Sequence, residues 1–301
     1  MARLPGNVRG ALWVAAAALF FTVMIAMIKV LGQRLPVSQI LVMRQTIMLL
    51  AVLPVIVRGA PQSLMTRRPG MHAARVVGAL VAMYAGFTAA IHLPLADVTA
   101  IGFSRTFFIT ILAIVLLQEV VGPRRWLATT VGFGGVLIML QPTGEGFNVY
   151  GLFAVLAALS AGFVSIIIRV LSQVEAPTTI LSYQAVFVGL LVAPMAWFEW
   201  RAMTVEDALL AVAIGLASVC GQLCNIRAYR AGEAVVVSSV DYVRLVWATL
   251  LGLVLFAQLP SLTTVGGALI IVSASAYTLV REMRRKPRTP AAGRTPDVGS
   301  P

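Results

Sequence analysis

Apolar positions in this chain neither alternate in twos nor form narrow amphipathic stripes. They run on for about 20 residues, the length that crosses a bilayer core as a helix, and stop at polar or Gly/Pro breaks. The runs fall at 11–31, 38–57, 74–91, 98–117 and 126–141, and again at 149–168, 178–198, 207–226, 234–257 and 262–280. They predict ten transmembrane helices, because a helix satisfies each backbone N–H within its own segment where no water is at hand. A transmembrane barrel would show short stretches of alternating polarity instead. The first run follows Arg3 and Arg9 as a signal peptide's core would, but it is long for one and no polar domain follows it, so it reads as the first span. The expected fold class is an all-α membrane protein.

The ten runs fall into two sets of five. A shift of 140 places Gln33 on Gln173, Pro54 on Pro194 and Lys29 on Arg169, and Arg44 then falls on Gln184. A shift of 139 places Arg105 on Arg244, Thr110 on Thr249 and Phe108 on Trp247. Polar and proline matches carry this alignment, since apolar matches come cheaply in such a composition. Five is odd, so the second copy enters the membrane from the opposite side. Residues 11–141 and 142–281 are therefore expected to form inverted five-helix repeats, between which carriers place their substrate sites. Residues 1–10 precede them, and the basic, Pro-rich segment 282–301 reads as a disordered cytoplasmic tail suited to anionic lipid.

Composition agrees. Hydrophobic residues make up 59% of the 301 positions, charged residues 11%, and mean hydropathy is +0.93, against about 25% charged in soluble domains. A soluble enzyme, a nucleic-acid-binding module and a disordered scaffold are excluded. The net charge of +12 looks at first like a nucleic-acid footprint. With the N-terminus inside, however, sixteen basic residues fall in cytoplasmic segments, Arg58, Arg67, Arg68 and Arg75 among them, and only Arg34 and Arg201 fall outside. That asymmetry is the positive-inside pattern, and it predicts a bacterial inner-membrane protein with both termini cytoplasmic. No nucleic-acid partner is needed.

The informative charges are those topology does not explain. An ionised group mid-span costs about 2.5–3.5 kcal/mol on insertion scales, so it marks a polar cavity or a partner. Arg44 lies in the second run, Arg105 in the fourth, and Asp241 and Arg244 in the ninth. The i, i+3 spacing of Asp241 and Arg244 lets them neutralise one another on one helix face, and this reading stands beside the functional one. It leaves Arg44 and Arg105 without a mid-span acid, since Glu119, Glu233 and Asp97 sit at helix ends. Phe108 follows Arg105 by three residues and Trp247 follows Arg244 by three, so each half pairs a guanidinium with an aromatic face. That combination suits an anionic or zwitterionic metabolite with a planar group. Tyr84, Gln184, Asn225 and Tyr242 are further polar candidates, each equally able to serve as interhelical packing.

No cofactor or metal motif is present. His72 and His92 have no paired spacing, and Cys220 and Cys224 read as small packing residues. No GxxxxGK[ST], HExxH or GxSxG occurs, which argues against an ATPase motor, a protease or a lipase in the chain. Gly132, Gly134, Gly135, Gly266 and Gly267 suit close packing of the fifth and tenth spans as scaffold.

PLADVTAIGFSRTFFITILAIVLLQE running into RRWLATTVGFGGVLIML, and DYVRLVWATLLGLVLFAQLP before GGALIIVSA, resemble the EamA-type carriers of the drug/metabolite transporter superfamily. VMRQTIM carries the Arg common in that family's second helix, here Arg44. The resemblance spans about 10–280 and is strongest to the bacterial subgroup that includes S-adenosylmethionine and riboflavin carriers. It implies a secondary carrier working by alternating access, with Arg44, Arg105 and Arg244 in its cavity and Asp241 orienting Arg244 or carrying a coupling proton. An uncoupled facilitator or an exporter is the alternative within transport, and a membrane enzyme or structural subunit the alternative outside it. Thr106 and Leu245 stand where the family often has Pro, so a helix bend there is not expected from the residues themselves. Gln258 replaces the family's Glu at the end of the ninth helix, while Glu119 keeps it in the first copy.

Overall fold

The computed structural model describes residues 5–59, 65–118, 123–141, 148–171, 173–175, 177–231 and 240–284, and among these no residue is in a strand. The helices are α1 (Gly6–Leu31), α2 (Val37–Arg58), α3 (Pro69–His92), α4 (Leu95–Gly102), α5 (Arg105–Leu117) and α6 (Pro123–Leu140). They continue as α7 (Val149–Leu171), α8 (Pro177–Phe198), α9 (Val205–Ala231), α10 (Val243–Phe256) and α11 (Leu262–Arg284). Six helical segments are long and apolar enough to cross a membrane, with α4 and α5 together forming one of them, and four shorter apolar ones lie in α6, α8, α10 and α11. Leu50, Leu127, Leu190 and Val254 each expose more than half of their surface. Large apolar side chains facing outward along these helices call for a lipid solvent.

Packing follows the duplication. Helix α1 lies on α9 as α7 lies on α3, and the remaining pairs, α2 on α8 and α6 on α11, each join equivalent helices of the two halves. Pro54 inside α2 and Pro194 inside α8 occupy matching positions. So do the residues that end α5 and α10: Gln118 and Ala257 adopt left-handed φ of 54° and 51°. A left-handed residue releases the last carbonyls of a helix to turn-type partners, and Ala257 N–H accordingly donates to Leu253 O at 3.1 Å.

The bend is present without proline. Between α4 and α5 the chain tightens at Phe103 and Ser104, with ψ of −19° and −16°. There Phe103 N–H donates to Ala100 O and Ser104 N–H to Ile101 O, at 3.1 and 2.9 Å. These three-residue bonds are a 3₁₀ turn. Before α10 the same turn recurs: Tyr242 has ψ of −18°, and Arg244 and Leu245 donate to Asp241 and Tyr242 carbonyls at 3.0 Å. Both kinks immediately precede or include the arginine helix starts that position the site.

Three expectations need adjustment. Helix α3 begins at Pro69, so Arg75 is not a loop charge; it is inside the helix and 1% exposed. Gly134 and Gly266 face open space, so only Gly132, Gly135 and Gly267 make the close approaches expected of these glycines. The last helix runs past Arg281 to Arg284. Residues 285–301, positions 234–239 of the ninth run, Glu119 and Glu233 lie outside the described residues.

Candidate functional site

A cavity of about 400 Å³ opens where α1, α2, α3, α4, α5 and α7 meet the turn before α10. Arg44, Arg105, Asp241 and Arg244 all line it. The four charges singled out in the runs therefore converge, although they come from three different runs and from both halves. The turns at 103–104 and 241–242 place Arg105 and Arg244 at the beginning of a helix in each half.

Each arginine is held differently. Arg44 is 9% exposed; its guanidinium donates to Gln45 Oε1 at 2.6 Å and to Met83 Sδ at 3.5 Å, while its Nε has no partner. Arg244 donates to Asp241 Oδ1 at 3.0 Å and lies 5.3 Å from the Phe21 ring, with its Nε likewise unpartnered. Arg105 exposes its side chain to the cavity. Three cations thus face one carboxylate. Buried N–H groups left without acceptors are costly, so Arg44 and Arg244 are poised for an acceptor that enters from outside the fold.

The rest of the lining is mostly apolar. Ala154, Ala157, Ala158 and Ala161 of α7 contribute to it beside Met83, Gly86 and Phe87 of α3. Small residues let α3 and α7 pack closely, with a Cβ on Gly86 reaching to 3.5 Å from that of Ala157. The volume lies within the roughly 300–1,000 Å³ typical of small-molecule sites, and a mostly apolar lining with a few convergent polar groups is their usual make-up.

Other candidates stand elsewhere. Phe108 is buried edge-on against Phe133, 6.0 Å between ring centres, and its Cβ sits where a side chain on Gly162 would go. Trp247 is half-buried with an unpartnered Nε1 and does not line the cavity. The expected arginine–aromatic pairs three residues apart do not line the cavity together; Arg244 meets Phe21 of α1 instead. Tyr84 packs into the cluster around Ile28, and Asn225 is half-buried on α9, both away from the lining. Tyr242 sits at the cavity's edge, its ring 4.9 Å from that of Phe103, which does line it.

Gln184 is the instructive case. It occupies the repeat position of Arg44, yet it is not in the cavity wall. Arg75 donates to its Oε1 at 2.6 Å and to Ile180 O at 2.8 Å. From the sequence Arg75 reads as a topology charge because it borders an apolar run. One turn earlier on α3, His72 Nε2 lies 2.5 Å from Glu175 Oε2, and the His72 ring lies tilted against that of Tyr183, 4.2 Å between centres. Glu175 also accepts from the Thr66 hydroxyl and from Arg67 N–H. At the other end of the bundle, Arg34 pairs with Asp207 at 2.9 Å, Ser38 donates to Glu199 at 2.6 Å, and Gln39 exchanges two hydrogen bonds with the Arg201 backbone.

Apolar helices, a turn repeated in both halves and a charged cavity describe a membrane protein built from two similar halves. The chain belongs to the EamA-like transporter family, which matches residues 8–141 and again 149–280. Among its relatives, a riboflavin transporter of Brucella anthropi is 32% identical over 240 residues, covering 77% of this chain and 84% of its own. A riboflavin transporter of Rhizobium johnstonii is 31% identical, covering 94% of each chain, and an S-adenosylmethionine uptake transporter of Rickettsia prowazekii is 26% identical over 93% of this chain and 96% of its own. A solved crystal structure superposes with a TM-score of 0.62 at 19% identity, covering 91% of this chain and 98% of its own, which speaks for the fold alone. The protein is a transporter and not an enzyme.

Proposed function

We propose that this transporter moves a small metabolite bearing an anionic or zwitterionic group and a planar body across a bacterial inner membrane. Ten crossings arranged as inverted five-helix repeats, with both termini cytoplasmic, would expose the cavity to each side in turn. One observation carries the reading: Arg44, Arg105 and Arg244 share one cavity with a single carboxylate, Asp241, and a mostly apolar remainder of the lining. The arginines supply charge for an anionic group, and Asp241 a partner for any cationic one. The apolar lining, with Phe87 and Phe103 in it, offers surface to a flat ring. Riboflavin and S-adenosylmethionine, the substrates in the relatives' names, both carry a planar ring system and polar groups.

The test is counterflow in proteoliposomes. Protein loaded with unlabelled riboflavin or S-adenosylmethionine should accumulate the matching labelled compound saturably, and Arg105→Ala and Arg244→Ala should insert and elute normally yet lose that accumulation. Full counterflow by both variants would remove these arginines from the site.

A further inference from the structure

The repeat positions Arg44 and Gln184 have opposite fates, and the difference lies in Arg75. In the second half, Gln184 is tied down by a buried arginine from α3. In the first half, the positions that would match Arg75 are Ile214 and Gly215 of α9, which bring no charge to Arg44. Arg44 instead holds Gln45, and Gln45 Nε2 donates to the carbonyl of Gln184 at 3.4 Å. Gln184 is thus held from two sides, its main-chain carbonyl by Gln45, which Arg44 engages, and its side-chain amide oxygen by Arg75. His72 and Glu175 lie one helical turn further, at the end where α3 and α8 begin.

Arg75 donates to two neutral acceptors on α8, Ile180 O and the Gln184 amide oxygen. A guanidinium buried on two neutral acceptors is a poor foundation but a good fastener: it holds α3 to α8 while both groups are in place, and it gains from water as soon as the helices part. The His72–Tyr183 ring contact joins the same two helices, and His72 also meets Glu175 in the segment just before α8.

We propose that Arg75 and Gln184 clasp α3 to α8 and close this end of the cavity, and that Gln45 ties the same residue of α8 to Arg44. An anionic group engaging Arg44 draws the guanidinium from Gln45, Gln45 lets go of the Gln184 main-chain carbonyl, and α8, released from α2 at that residue, is free to part from α3 at the clasp. Arg75, Gln184 and Gln45 are positioning residues here; none of the three lines the cavity. This rests on the transport reading for its purpose, but its test needs no substrate.

The test uses Ala161→Cys, the cavity residue of α7 nearest this end, in the full chain with Cys220→Ala and Cys224→Ala, which removes its two native cysteines. A membrane-impermeant methanethiosulfonate is applied to proteoliposomes from the side on which α3 and α8 begin. Labelling should be slow in this background. Arg75→Gln and Gln184→Leu should speed it roughly tenfold, since a minor open state of a few per cent has that much room to grow, and Gln45→Leu should do the same. Arg75→Lys, which keeps one donor, should fall between. Labelling unchanged in Arg75→Gln and Gln184→Leu proteins that elute as the parent does would overturn the clasp. Acceleration in those two but not in Gln45→Leu would overturn its link to Arg44. A chain that carries neither riboflavin nor S-adenosylmethionine would still return these results, so failure of the substrate reading and failure of the clasp are told apart.

Discussion

Phe103 and Tyr242, equivalent residues of the two halves under the 139-residue shift, meet in a tilted ring pair with centres 4.9 Å apart. Each sits in the 3₁₀ turn of its half. A residue can touch its own repeat counterpart only near the axis that exchanges the halves, so this pair locates the axis beside the cavity. Tilted aromatic pairs contribute about 0.5–1.5 kcal/mol beyond their burial. In a double-mutant cycle on thermal stability, Phe103→Ala and Tyr242→Ala should therefore be non-additive by about that amount. Tyr242→Phe should keep the coupling, because the ring and not the hydroxyl makes the contact. Strictly additive losses would mean that the rings merely lie near each other.

Much of this was legible in the residues. Unbroken apolar runs gave the helices because lipid admits few other ways to satisfy a backbone, and the mid-run charges Arg44, Arg105, Asp241 and Arg244 pointed to the cavity because lipid penalises them anywhere else. What stayed hidden depends on three-dimensional neighbours. Arg75 borders an apolar run and reads as a topology charge until α8 is seen to cover it. Gln184 reads as a cavity residue by symmetry until Arg75 is seen to occupy it. The kinks come from 3₁₀ bonding at Phe103 and Tyr242, which no proline announces.

The left-handed ends of α5 and α10 differ in how well they are compensated. Gln118 donates from its side chain to Val115 O at 3.0 Å, whereas Ala257 has only a methyl to offer. A non-glycine residue in this conformation costs about 1–2 kcal/mol. Ala257→Gly should therefore raise thermal stability by about 1 kcal/mol, and Gln118→Gly by less, since it forfeits the side-chain bond. Ala257→Val should destabilise. Melting curves in detergent check the order.

Adjacent glycines of α6 provide an internal control on packing. A Cβ at Gly135 would lie 2.9 Å from the Gly267 carbonyl, and one at Gly267 would lie 2.7 Å from the Gly135 carbonyl, whereas Gly134 meets nothing within 4 Å. Backbone oxygens cannot swing aside as a side-chain tip can. Gly135→Ala should cost about 1–3 kcal/mol through overpacking, while Gly134→Ala should be neutral or stabilising by up to about 1 kcal/mol through helix propensity. Equal melting temperatures for the two variants would contradict the α6–α11 contact.

We propose Asp241 as the carrier of a coupling proton. While ionised it engages Arg244 at 3.0 Å; once protonated it would release that guanidinium to an anionic substrate. Asp241→Asn should then transport without responding to an imposed pH gradient, with exchange at equal pH retained. A variant that still follows the gradient would move the coupling elsewhere.

Acid stability should report on Glu175, which lies between α7 and α8 outside the spans. Burial pushes its carboxyl upward, but the Thr66 hydroxyl, His72 and the Arg67 N–H together outweigh burial and hold it below the ordinary carboxylate value of 4.5. A carboxyl whose folded value is depressed binds protons more readily when unfolded. Its stabilisation is therefore fully present above the unfolded value and fades as pH falls from there through the lower folded one. Melting temperature should drop over that acid interval in the parent chain. Glu175→Gln should melt lower than the parent at neutral pH, where the carboxylate's bonds are intact, and should lose less as pH falls from about one unit above the ordinary value through it. Parallel curves for the two proteins would show that the Glu175 contacts carry no pH-dependent stability.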